Sequence, residues 1–206
     1  YAHYNRGIVL WMLGRREEAL ASTERAAAAR PGHIEALYNA GVMLQRLGRP
    51  QEALARYDAA LSVKPDFLAA RNNRGDALRE LRRPQEALAS FEDVIALKPG
   101  HAPAWNNRGG ILLLLGRDEE ALASFDRALA IDGRHADALF NRGAALQNLG
   151  RHGESVACFA RVLALDPRNP DAFGRIAGAA MHACDWRLRA KIEAELARRI
   201  DAGEAV

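Results

Sequence analysis

Asparagine recurs at 5, 39, 73, 107 and 141, and a glycine follows two positions after each, at 7, 41, 75, 109 and 143. A 34-residue period held this strictly means one structural unit repeated along the chain. A unit of that size cannot bury an apolar face alone, so it must stack on its neighbours. The role of such a chain is then to be sought in the surface that the stack presents. The rest of each unit keeps the same phase. Ala19, Ala53, Ala87 and Ala121 share one position, with Ser155 in the fifth place. Thr23, Tyr57, Phe91, Phe125 and Phe159 stand four residues later, and Pro31, Pro65, Pro99, Gly133 and Pro167 eight beyond those. Both halves of a unit have helical period, as in Trp105, Gly109 and Leu112 for a first half and Leu122, Phe125, Ala128 and Leu129 for a second.

Between the halves lies Leu-Gly-Arg, at 13–15, 47–49, 115–117 and 149–151. Its glycine can adopt the left-handed conformation that ends a helix. The second half then opens on an acid, Glu18, Glu52, Glu86, Glu120 or Glu154, where the helix dipole favours a carboxylate. The unit at 68–101 departs, with Arg82-Arg83-Pro84 in place of the glycine turn; proline still suits the first turn of the following helix. The expected divisions are units at 1–33, 34–67, 68–101, 102–135 and 136–169, an incomplete sixth at 170–183, and a junction with a capping helix at 184–206.

A 34-residue helix-turn-helix unit with these small, aromatic and breaker positions resembles the tetratricopeptide repeat. The best copy is Trp105, Arg108, Gly109, Leu112, Ala121, Phe125 and Ala128, with Gly133 where proline is usual. The resemblance covers residues 1–169. It implies an all-α fold, a right-handed superhelix of helical hairpins, closed at the C-terminal end by a capping helix. Arg6, Arg74, Arg108 and Arg142 depart from the pattern, standing where the family more often has leucine.

The first helix of each repeat in that family lines the inner curve of the superhelix. Asn5, Asn39, Asn73, Asn107 and Asn141 would then form a row of amides along a groove, each offering donors and an acceptor. Such a row can hold the backbone of an extended peptide irrespective of its sequence, each contact contributing on the order of 1 kcal/mol. The competing explanation is that these asparagines bond neighbouring helices. One position earlier stand Tyr4, Tyr38, Asn72, Asn106 and Phe140, of which Tyr38, Asn72, Asn106 and Phe140 are counted with the peptide-binding row. Further along come Trp11, Gln45, Arg79, Leu113 and Gln147. That mixture suits an uncharged extended segment better than an acidic tail. The expected partner is a protein or extended peptide, and Trp11 suits contact with preceding repeats or a second copy of the chain.

Composition narrows the other classes. The chain has 206 residues, 49% of them apolar, but no run of about 18 apolar residues to span a membrane. Net charge is +3, with both signs interspersed through every unit, whereas a nucleic-acid footprint clusters on one stripe. Two cysteines, Cys158 and Cys184, give no disulfide framework and fit a reducing, cytoplasmic setting. The weight of alanine and arginine reads as a GC-rich, bacterial coding sequence. His33, His101 and His135 close their units as surface turn residues, too far apart for a metal site. No nucleophile set and no phosphate loop recurs, so neither catalysis nor a cofactor is expected of this segment.

The end of the chain breaks the pattern. Phe173 and Ala177 keep the first-helix phase, but Cys184-Asp185-Trp186 replaces the turn, followed by Leu188, Ile192, Leu196 and Ile200 at helical spacing. Repeats with an asparagine row, followed by His182, Cys184, Asp185 and Trp186 and a helix, resemble the junction in O-linked N-acetylglucosamine transferases and SPINDLY-type relatives. That resemblance implies a substrate-recruiting region of a larger protein O-glycosyltransferase. The alternative is an adaptor with no enzymatic parent.

Overall fold

The computed structural model describes residues 2–182, and the regular structure among them is entirely helical. In chain order the helices are α1 (Ala2–Met12), α2 (Arg16–Ala29), α3 (Ile34–Arg46), α4 (Pro50–Val63), α5 (Leu68–Glu80), α6 (Pro84–Leu97), α7 (Ala102–Leu114), α8 (Asp118–Ile131), α9 (Ala136–Asn148), α10 (His152–Leu165) and α11 (Pro170–His182). The expected Cys184-Asp185-Trp186 junction and capping helix lie outside the described residues. None of these helices is long and apolar enough to cross a membrane.

The chain forms two compact units, Tyr1–Pro99 and a second beginning at Gly100. The first stacks three hairpins, α1–α2, α3–α4 and α5–α6; the second stacks α7–α8 and α9–α10, with α11 packed on α10. Within a unit the second helix of one hairpin lies against the first helix of the next. First helices also meet directly, α3 with α5 and α7 with α9, more closely than the second helices do. Each unit therefore curves with its first helices on the inside.

The hairpin bend follows from the repeated turn. Gly14, Gly48, Gly116 and Gly150 all have φ near +70°, and the next arginine N–H reaches back to a first-helix carbonyl, as Arg15 to Leu10 at 2.9 Å and Arg117 to Leu112 at 2.9 Å. That is the helix-ending bond expected of a left-handed glycine. The same arginine forks onto the glutamate three residues on: Arg15–Glu18, Arg49–Glu52, Arg83–Glu86, Arg117–Glu120 and Arg151–Glu154, at 2.6–2.7 Å. The fork holds each of these carboxyls below the ordinary glutamate range.

In the third hairpin Arg82 adopts the left-handed conformation without glycine, at φ 58°, which costs an L-residue about 1–2 kcal/mol. Arg82 is exposed, so replacing it removes strain and disturbs no packing. Arg82→Gly is expected to raise stability by about 0.5–1 kcal/mol, the relief being partly offset by the freer unfolded chain. A chemical melt whose midpoint falls in the variant would show the turn to be unstrained.

The core repeats with the sequence. Tyr57, Phe91, Phe125 and Phe159 are fully buried, each ring against the glycine of its own hairpin, Gly41, Gly75, Gly109 or Gly143. Thr23 takes that place in the first hairpin and donates to the Ala19 carbonyl at 2.9 Å.

Two of the arginines that replace leucine, Arg74 and Arg142, are staples between hairpins. Arg74 donates to Asp58 on the preceding hairpin at 2.7 Å and to Ser90 on its own at 2.6 Å. Arg142 repeats this with Asp126 at 2.6 Å and Cys158 at 3.0 Å. In the second hairpin the first helix carries Ala40 at this phase, and the guanidinium comes instead from Arg56 on α4. It reaches Glu24, the acid in register with Asp58 and Asp126, at 2.9 Å. The register of acid and guanidinium is thus preserved in space although the arginine changes helix.

Candidate functional site

Because first helices line the inner side of each unit, the asparagine row falls there. Asn39, Asn73, Asn107 and Asn141 are half-buried and Asn5 is exposed. Asn39, Asn73 and Asn141 are engaged across hairpins. Asn39 Nδ2 donates to the Tyr4 hydroxyl at 2.6 Å, Asn73 Nδ2 to the Tyr38 hydroxyl at 3.1 Å, and Asn141 Nδ2 to Asn106 Oδ1 at 3.0 Å. The explanation that these amides bond neighbouring helices therefore holds for one N–H of each. The Oδ1 atoms of Asn39 and Asn141 accept no hydrogen bond among the described residues, and their second N–H is likewise unspent.

The preceding positions divide by chemistry. Tyr38 packs its ring between Tyr57, centroids 6.1 Å apart, and Phe67, 5.0 Å apart, leaving its hydroxyl for Asn73. Asn106 is buried and donates to Asn107 Oδ1 at 3.5 Å. Asn72 Nδ2 lies 3.3 Å from Asp76 Oδ2. Phe140 sets its edge against Phe159 at 5.3 Å and carries the Arg175 guanidinium over its face. Asn5 stands apart from the other amides, in a cavity of about 540 Å³ with Tyr4, Arg30 and His33.

A second cavity, about 450 Å³, opens between α3 and α5 and is lined by Val42, Gln45, Arg46, Tyr57, Asn73, Asp76, Arg79 and Glu80. The Tyr57 hydroxyl donates to Gln45 Oε1 at 3.0 Å, and Gln45 Nε2 to Glu80 Oε1 at 2.6 Å, so one wall is held by a hydrogen-bonded chain across three helices. Burial holds the Tyr57 phenol well above its ordinary pKa, which keeps it neutral and a donor. Burial also pushes the Asp76 carboxyl up to about 6, with Arg79 pulling it down and Glu80 adding to the rise. Arg79 stands 3.7 Å from Asp76 Oδ1, too far for a close hydrogen bond.

The residues weighed for this face from the sequence, which suit an uncharged guest, do not include Asp76. The signal was present. The phase that holds Asp76 carries Ile8, Val42, Gly110 and Ala144 in the other units, so an acid there breaks an apolar or small series. The histidines need a correction too. His33, expected as a surface turn residue, is buried with its ring 5.1 Å from Tyr4. His33, His101 and His135 each precede a first helix and accept from its third backbone N–H, that of Ala36, Ala104 or Ala138, at 3.1–3.4 Å. They act as N-caps, a place usually taken by a short polar side chain.

Comparison with functionally curated proteins finds no match. Among solved structures the chain is similar to PilW, a widely conserved type IV pilus biogenesis factor, at 22% identity with a TM-score of 0.83, over 97% of this chain and 93% of PilW. A tetratricopeptide repeat protein from Parabacteroides merdae is similar at 22% identity and TM-score 0.82, over 100% of this chain and 79% of that one. YrrB, described as a repeat protein with an unusual peptide-binding site, matches at 22% identity and TM-score 0.67, over 82% of this chain and 88% of its own. At these identities the likeness is one of fold. Family models of the tetratricopeptide repeat match residues 1–66, 38–102, 73–136 and 136–169. A recurring glycine–aromatic core, hairpins ended by left-handed turns and repeat models running from the first residue to 169 agree, and the chain belongs to the tetratricopeptide repeat family.

Proposed function

We propose that this chain is a protein-interaction module in which the inner face of each unit holds extended polypeptide, Asn5, Asn39 and Asn73 gripping backbone in the first unit with Tyr38 and Asn72 beside them, and Asn107 and Asn141 in the second with Asn106 and Phe140. The observation that carries the reading is the half-spent state of the amides. Anchoring one N–H of Asn39 to Tyr4 and of Asn141 to Asn106 orients each amide, and leaves a carbonyl and an N–H, the complement of a peptide unit. An oriented group loses less entropy on binding than a free one. A described peptide-binding site in YrrB, which shares the fold, supports the same class of partner.

The test is a displayed library of short extended peptides, selected against the protein and re-measured with Asn39, Asn73, Asn107 and Asn141 replaced together by alanine. Four contacts of about 1 kcal/mol each predict a loss approaching ~1000-fold in affinity. Far-ultraviolet circular dichroism should keep its helical signature. Selected peptides that bind the variant equally well would place recognition elsewhere.

A finer proposal makes this module the substrate-recruiting region of a protein O-glycosyltransferase. Its support is the sequence His182, Cys184, Asp185 and Trp186. Nucleotide-sugar binding by the polypeptide encoded around this segment tests it, and an adaptor role is what remains if none is found.

A further inference from the structure

We infer that the cavity between α3 and α5 is a side-chain pocket for an arginine or lysine of the guest polypeptide, with the carboxylate of Asp76 as its anionic floor and Glu80 as a second acceptor at its mouth. The inference rests on the groove reading for the path of the guest backbone. Asn73, one of the proposed backbone-gripping amides, itself lines the cavity, so a guest held by the amide row passes over its opening.

The two signs of charge in the cavity are not placed alike. The Asp76 side chain is 26% exposed and the Arg79 side chain 49%; Arg46 is exposed on the rim. Arg79 and Arg46 are long side chains whose heads can stay in water while their stems line the wall. Asp76 cannot leave. Its carboxylate has lost much of its water, and receives in return a donor from Asn72 at 3.3 Å and a guanidinium no closer than 3.7 Å. A carboxylate that has lost part of its water and whose ion pair with Arg79 is this long favours a cation that can approach more closely. Glu80, one helical turn along α5, already accepts from Gln45 Nε2 through one oxygen, and its other oxygen has no partner among the described residues. Two carboxylates in one lining, Asp76 the less exposed and Glu80 the more, attract a guanidinium or an ammonium and repel an anion. An anion would also meet Tyr57, whose proton is committed to Gln45. The same phase in other units, Ile8, Val42, Gly110 and Ala144, shows that the stack does not require an acid there.

The elevated Asp76 carboxyl gives the pocket a signature of its own. The groups facing it are Arg46 from α3, Tyr57 from α4, and Arg79 and Glu80 on its own helix. A cation binds the ionised form, so the preference for a cationic side chain should be present above pH 6 and fade as the pH falls below the pKa of about 6.

The first arm of the test is nuclear magnetic resonance of the side-chain amides of Gln45 and Asn73 during titration with acetyl-arginine amide, acetyl-lysine amide, acetyl-citrulline amide and acetyl-glutamate amide. Shifts with the two cationic probes, absent with citrulline and glutamate and lost in Asp76→Ala, are expected. Ala144 occupies the same phase, so this variant keeps the fold, and Asp76→Asn provides an isosteric second. Equal shifts with citrulline, shifts with the glutamate probe alone, or cationic shifts that survive Asp76→Ala would overturn the pocket. The second arm replaces arginine by citrulline in groove-binding peptides, with an expected loss of roughly 10-fold at pH 7.5 that shrinks at pH 5. Peptides that bind regardless of that replacement overturn the pocket and leave the groove reading intact. Cationic probes that fill the cavity while no extended peptide binds uphold the pocket and defeat the groove.

Discussion

Phe91→Ala is expected to destabilise the protein by about 3–5 kcal/mol, the cost of truncating a large aromatic side chain inside a packed core. The ring is fully buried and closes on Gly75, where an added Cβ would stand 2.7 Å from Phe91 Cε1 and Cζ. Removing it forfeits the transfer energy of the ring and leaves a void between α5 and α6 that the helices cannot close. Their separation is set by the rest of the hairpin interface and by α4 stacked on α5. In a stack whose stability is a sum of units and neighbour interfaces, weakening the third hairpin also removes support from the second. Urea denaturation followed by circular dichroism reads the effect as a lower midpoint, and an unchanged midpoint would contradict the stacked core.

Two adjacent glycines on α7 should respond with opposite signs. An alanine Cβ at Gly109 would lie 2.5 Å from Phe125 Cε1 and 2.8 Å from Cδ1 and Cζ. Phe125 is itself fully buried and has nowhere to retreat, so Gly109→Ala should cost about 1–3 kcal/mol through overpacking. A Cβ at Gly110 meets nothing within 4 Å. Alanine is the better helix former by about 1 kcal/mol, so Gly110→Ala should stabilise by up to that amount. Adding Phe125→Leu to Gly109→Ala should recover part of the loss, because a narrower side chain makes room for the methyl group. Thermal melts of the three variants check the pattern. Destabilisation of similar size at 109 and 110 would mean that backbone conformation, and not the ring, makes glycine necessary.

The packing of these glycines was legible in the amino-acid sequence. Gly109 and Phe125 could be paired from their spacing because each belongs to one hairpin, and the hairpin is defined by 34 residues of local sequence. The left-handed turn at Gly14, Gly48, Gly116 and Gly150 was readable for the same reason. The arginine staples were half legible. Arg74 and Arg142 looked like departures from leucine until the stack brought Asp58 and Asp126 to them. A cue was available, since Glu24, Asp58 and Asp126 share one phase and Ala40 coincides with the arrival of Arg56. His33 was misread because a residue at a turn reads as exposed, whereas Tyr4 and the following helix lie against it.

The asparagine row marks the limit of that reading. Spacing placed the amides on one side of every first helix, but whether they faced a guest or a neighbour depended on contacts 35 residues away, Asn39 with Tyr4 and Asn141 with Asn106. The amino-acid sequence by itself determined the hairpin, its turn, its glycine–aromatic core and the repetition of all three, since these are short-range consequences of backbone freedom and side-chain size. Only the tertiary structure decided which polar groups are consumed between hairpins and which remain, and that Asp76 lines a cavity with Arg79 3.7 Å from it. Those outcomes depend on how one hairpin is laid on the next, an arrangement set by many contacts at once and written in no single residue.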